Sequence, residues 1–115
     1  MDSVVDDAWE STLPAERIRR FERSKVDLDA LKKTISIAER NDIDVTLILA
    51  PYLPSYFALT DSSSEWLDWI ESETGKKVLN YSLAIENDTL FADPIHLNPK
   101  GAKVLARQLH RNGDL

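Results

Sequence analysis

The chain has 115 residues, 43% hydrophobic and 30% charged, with a formal net charge of -6, as expected of one small globular domain and of the wrong sign for a phosphate-backbone partner, so no nucleic acid ligand is expected. It contains no apolar run of membrane-spanning length, and the acidic opening "MDSVVDDAWE" lacks the basic start of a secretory signal, so the expected location is cytoplasmic for the chain as it stands and extracytoplasmic if it is a fragment of a longer exported protein. The absence of cysteine excludes disulfides and thiol nucleophiles, and with two histidines no metal or cofactor is expected.

Residues 1–26 are expected to form an amino-terminal arm or helix of the single domain 1–115, with Pro14 at a helix start and Ile18 and Phe21 facing inward. The apolar pair Val4 and Val5 is a possible sheet extension. From Asp27 to Asn41, Leu28, Leu31, Ile35 and Ala38 recur at steps of three and four, one face of a helix with Asp27 as its N-cap. Lys32, Lys33, Glu39 and Arg40 make its wet face. "VTLILA" then reads as a buried strand, about 44–50, ended by Pro51. Ser62 and Glu65 have capping-box spacing, and "EWLDWIESETG" is a helix that Gly75 stops. "KKVLNYS" is a second strand, about 77–82. Asn98 and Pro99 open the last helix, whose buried face is expected to be Ala102, Leu105, Ala106 and Leu109.

Helix, strand, helix, strand, helix implies an α/β architecture with two parallel strands joined by a right-handed crossover and flanked by helices. Two strands leave edges unpaired, so a homodimer is expected to complete or cover the sheet. Ligands of such sheets bind beyond the carboxyl ends of the strands. From that edge leave "PYLPSYF", whose Tyr52 and Tyr56 are the expected ligand contacts, and the loop "LFADPIHLN". Trp66 and Trp69 read first as core or dimer contacts, with a sugar-stacking platform as the alternative. Asn41, Asn80 and Asn87 read as turn or strand-end residues, and His110 as a complement to its helix dipole.

Asp93 and His96 are the candidate catalytic residues. A histidine that takes a proton at one ring nitrogen needs the hydrogen on the other held by an acceptor, which fixes the tautomer and stabilises the imidazolium. Asp93 is near enough to be that acceptor, and Pro94 restricts the turn between them. The following helix start turns its positive dipole end toward His96, which suits a neutral base. The plainer alternative is an Asp-Pro turn with a half-buried histidine. A metal site built from Asp88, Asp93 and His96 matches no strong zinc spacing.

The run "DPIHLNPKGAKVLARQL" resembles the last block of the SGNH hydrolase (GDSL lipase and esterase) superfamily, in which an Asp-x-x-His pair before the final helix completes a Ser-His-Asp triad. "LDALKKTISIAERNDIDVTLILAPYLPSY" is similar to the helix, strand and proline-rich loop of the branch containing the D-alanine transfer protein of teichoic acids and the alginate O-acetyltransferases. The resemblance implies a partial three-layer SGNH or flavodoxin-like fold, with Asp93 as orienter, His96 as base, and an acyl-ester or carbohydrate ligand. The chain departs from the pattern at the nucleophile. "DSVVD" only echoes the serine block, with Ser3 in the serine's place, no strand ahead of it and no glycine before Gly75. The expectation is therefore an SGNH-like module that keeps the Asp-x-x-His block without a clear serine nucleophile, a truncated or inactive form of an ester hydrolase or O-acyltransferase. The alternative is a non-catalytic α/β module for self-association or ligand binding.

Overall fold

The computed structural model describes residues 4–6 and 19–115. Helices and short strands alternate in the order β1 (Arg19–Arg20), α1 (Lys25–Arg40), β2 (Leu47–Leu49), α2 (Pro54–Phe57), β3 (Thr60–Asp61), α3 (Ser63–Thr74), β4 (Val78–Asn80), a 3-10 turn (Asp88–Leu90), β5 (Phe91–Asp93), β6 (His96–Leu97) and α4 (Pro99–Arg111). The expected mixed α/β character is present. β2 and β4 pair in parallel, with Leu47 beside Val78, Ile48 beside Leu79 and Leu49 beside Asn80. Both strands are shorter than expected because only three rungs pair, while Asp44 and Thr46 are exposed. β1 and β3 form a second parallel pair. Two-residue strands carry no periodicity, and the sequence gives no warning of them.

Helix α1 buries Leu28 and Ile35, with Leu31 and Ala38 half-buried, as its spacing predicts. Its N-cap is Ser24, not Asp27. The Ser24 hydroxyl accepts the Asp27 N–H at 3.2 Å, which places Asp27 in the first turn, where a carboxylate favours the dipole. The Ser62–Glu65 capping box does not form. Ser62 sits at φ 64°, outside the extended conformation a cap requires, and its hydroxyl turns to Asp61 at 3.2 Å. Gly75 ends α3 at φ 69°, the left-handed position that favours glycine. Two exposed ion pairs, Lys32–Glu73 at 3.0 Å and Lys76–Glu39 at 2.8 Å, join α1 to α3 and its C-terminal turn. Such pairs contribute at most about 1 kcal/mol each.

In α4 the buried stripe keeps Leu105 and Leu109 of the expected face but not its two alanines. Ala102 and Ala106 are exposed, and Gly101, Val104, Leu105, Gln108 and Leu109 face the protein. The period of three and four starts at the glycine, which a hydrophobicity count passes over. A Cβ on Gly101 would lie 2.1 Å from the Leu90 carbonyl oxygen and 2.9 Å from Leu97 Cδ2, so only glycine lets α4 lie this close to the β5–β6 ribbon.

The amino-terminal expectations divide. Pro14 and Ile18 lie outside the described residues. Phe21 is in no helix and follows β1 directly. Val5 packs on the core and donates its N–H to the Phe91 carbonyl at 2.7 Å, without forming a strand, while Val4 is exposed. That core consists of Leu53, Ile85 and the fully buried Phe91, with Leu90, Leu97, Val104 and Leu105 packed around it. It lies under the loops that leave the carboxyl ends of β2 and β4.

Candidate functional site: the Asp93–His96 hairpin and its aromatic cleft

β5 and β6 are joined by the two-residue turn Pro94–Ile95, with Asp93 and His96 as direct cross-strand partners. Partners of this kind carry their side chains on the same face with Cβ atoms about 5 Å apart. The Asp-Pro-x-His spacing therefore brings the carboxylate to the ring. Proline at the second position of the turn supplies a fixed φ, and Asp93 Oδ1 accepts the Ile95 N–H at 2.9 Å, locking the carboxylate to its own turn.

His96 Nδ1 lies 2.9 Å from Asp93 Oδ1 and 2.8 Å from Oδ2, shared between both oxygens. A carboxylate only accepts, so Nδ1 carries the hydrogen and, in the neutral ring, Nε2 holds the lone pair. The ring is 67% exposed and the carboxylate 49%, which leaves Nε2 open to an incoming molecule. Partial burial works to raise the Asp93 pKa, but the Ile95 N–H and the His96 ring outweigh it and hold the carboxyl below its ordinary value.

The Tyr52–Tyr56 loop is tied both to the hairpin and to the end of β4. Leu53 N–H donates to the Pro94 carbonyl at 2.9 Å, and Tyr52 N–H donates to the Ser82 carbonyl, just after β4, at 2.9 Å. Behind the hairpin, Asn98 caps α4. Its Oδ1 accepts the Gly101 N–H at 2.9 Å, its Nδ2 donates to the Thr89 carbonyl at 2.7 Å, and its backbone N–H donates to the Leu90 carbonyl at 2.9 Å. This 2%-exposed residue fastens the helix to the segment that leads into β5.

Tyr52 and Tyr56 stand beside the hairpin as expected, stacked at 6.3 Å with 12° between their planes. Burial, and secondarily the neighbouring Tyr56, raise the Tyr52 pKa. Both line a cleft of about 300 Å³ together with Phe21, Trp66 and Ile95, the residue before His96. Trp66 is thus a cleft residue rather than core. Trp69 instead carries the Arg23 guanidinium 5.6 Å from its ring centre. Phe21, 5.6 Å from both Tyr52 and Trp66, is the cleft residue that sequence reasoning placed elsewhere. A lone aromatic after an arginine pair gives no sign that β1 will carry it there.

Asn41, Asn80 and Asn87 occupy the turn and strand-end positions expected. They cap α1, accept the Ser82 N–H and hydroxyl, and cap the 3-10 turn, respectively. His110 lies in the last turn of α4. Ser3 lies outside the described residues. Among the described residues no cluster of three or more histidine, aspartate or glutamate side chains is placed to hold a metal ion, and no helix is long and apolar enough to cross a membrane. Comparison of the chain with protein-family models, curated proteins and solved structures finds no match.

Proposed function

We propose that the chain carries the base-and-orienter part of an acyl-ester site of the SGNH hydrolase or O-acyltransferase kind, with His96 as base and Asp93 as orienter. The observation that supports the reading is the Asp93–His96 bond at the loop edge beyond β2 and β4, with Nδ1 committed to the carboxylate and the ring otherwise exposed. In this reading the two parallel strands are part of a three-layer sheet. Nε2 takes the proton of an attacking hydroxyl while Asp93 stabilises the imidazolium that forms; the hydroxyl oxygen bonds the acyl carbon, the ester C–O bond breaks, and the proton passes on to the leaving oxygen or to solvent. The chain supplies no clear serine block. p-Nitrophenyl acetate hydrolysis by the isolated protein is therefore expected to be no faster than that of a surface histidine. Saturable turnover abolished by both His96→Ala and Ser3→Ala would mean instead that the chain holds a complete triad.

A second reading is favoured by the aromatic cleft and by the two-stranded parallel sheet, whose strands pair only with each other among the described residues. In it the chain is a non-catalytic module that binds a ligand or a second copy of itself, and the homodimer belongs to either reading. Methanol as an external nucleophile separates the two. If His96 is a positioned base, methyl acetate formation from p-nitrophenyl acetate rises with methanol and falls several-fold in both His96→Ala and Asp93→Ala. Equal rates in all three proteins would leave the binding module.

A further inference from the structure

The four rings Trp66, Phe21, Tyr52 and Tyr56 follow one another at centroid distances of 5.6, 5.6 and 6.3 Å, a continuous aromatic wall of the cleft beside the hairpin. Phe57 backs the wall, 5.4 Å from Tyr52 and 6.0 Å from Phe21. Burial of aromatic rings alone does not explain its placement, because all four rings are only partly buried and open onto space of about 300 Å³. That volume is at the lower end of small-molecule sites, enough for a compact group and too small for a long acyl chain.

Charge decides which compact group fits. Among the described residues the lining contains one ionisable carboxylate, Glu22, and no lysine, arginine or histidine. Trp66 is held in place by its Nε1 donating to the Glu22 carbonyl at 3.1 Å, so the ring and the residue that carries the carboxylate are one unit. The faces of aromatic rings carry negative potential and attract a cation within about 6 Å, most strongly for tryptophan. The same surface already shows the effect at the neighbouring ring, where the Arg23 guanidinium lies 5.6 Å from Trp69. An anionic ligand would meet a carboxylate and the negative ring faces, with no compensating cation in the lining among the described residues.

We propose that the cleft binds a small organic ammonium group, held by cation–π contact with Trp66 and its neighbours and by the charge of Glu22. With Ile95 closing the cleft next to His96, the ammonium group is the end of the ligand that positions an adjoining ester for the base. The ester part of this assignment rests on the function proposed above, while the binding part does not.

The test uses choline and its uncharged carbon isostere 3,3-dimethylbutan-1-ol, titrated into the full chain at millimolar concentration and followed by amide shifts around Trp66 and by the Trp66 indole N–H signal. Choline should bind about five-fold or more tighter than the isostere, the ratio expected of cation–π attraction at a partly open site. Glu22→Gln should weaken choline several-fold and leave the isostere unchanged. Trp66→Leu should weaken choline most, and His96→Ala should not alter it. Equal binding of the two compounds, or no shift with either, overturns the proposal, and so does choline binding that is indifferent to Glu22→Gln, a surface change that leaves the fold intact. Choline binding in a protein whose methanol reaction ignores His96 would sink the ester reading and leave the ammonium site standing.

Discussion

Gly101→Ala tests whether the close approach of α4 to the hairpin holds the site together. In an exposed helix this change stabilises by up to about 1 kcal/mol through backbone entropy. Here the new Cβ meets the Leu90 carbonyl oxygen at 2.1 Å, against a limit of 3.0 Å that real Cβ contacts essentially never cross, so about 0.9 Å of movement is the minimum. Leu97 Cδ2, at 2.9 Å, belongs to a side chain that can rotate away. The Leu90 carbonyl is backbone, and it accepts the Asn98 N–H at 2.9 Å. Overpacking of this kind costs about 1–3 kcal/mol, and stretching the Asn98 bond adds about 1 kcal/mol. Set against the propensity gain, the net destabilisation is about 1–3 kcal/mol, a fall in Tm of about 5–15 °C for a domain of this size. Thermal melts by circular dichroism measure it, with Ala102→Gly as control, an exposed site where only the propensity loss of about 1 kcal/mol applies. A Gly101→Ala protein that melts at or above the wild-type temperature would refute the packing argument.

Asp93 is held below its ordinary carboxyl pKa, so the unfolded chain binds its proton first, and the stability this contributes is present above pH about 4 and lost as pH falls through the folded-state value. Acid unfolding should accordingly begin at higher pH in wild type than Asp93→Asn would show relative to its own neutral-pH stability; an identical acid limb in urea titrations counts against the bond. Asn98→Ala removes the α4 cap and the donor to the Thr89 carbonyl, about 2 kcal/mol in total by chemical denaturation. A change below about 0.5 kcal/mol would show that water replaces both bonds. Light scattering at micromolar concentration should give a dimer mass, and a cooperative monomer would remove self-association from the account.

The elements with strong local chemistry were legible in the sequence. Leu28 and Ile35 marked the α1 face, Gly75 and Asn98 marked helix ends through backbone demands that few residues meet, and Asp-Pro-x-His marked a turn that brings two side chains together. What was missed depended on partners distant in the chain. Ser62 has capping-box spacing, yet between β3 and α3 it takes a left-handed conformation without the cap bond. Gly101 is invisible to a hydrophobic count because its role is to have no side chain beside Leu90. Phe21 reaches Tyr52 and Trp66 through the pairing of Arg19 and Arg20 with Thr60 and Asp61, two rungs with no pattern to read. For the same reason Trp66 could not be told from core by spacing alone.

The claim on which the functional account stands is that Asp93 dictates which nitrogen of His96 bears the hydrogen, leaving Nε2 as the base. Long-range 1H–15N correlation spectra of the neutral His96 ring measure this directly. The account predicts a protonated Nδ1 and a bare Nε2 in wild type, with that preference abolished in Asp93→Ala. A neutral ring protonated at Nε2 in wild type, or a tautomer that Asp93→Ala leaves unchanged, would contradict it.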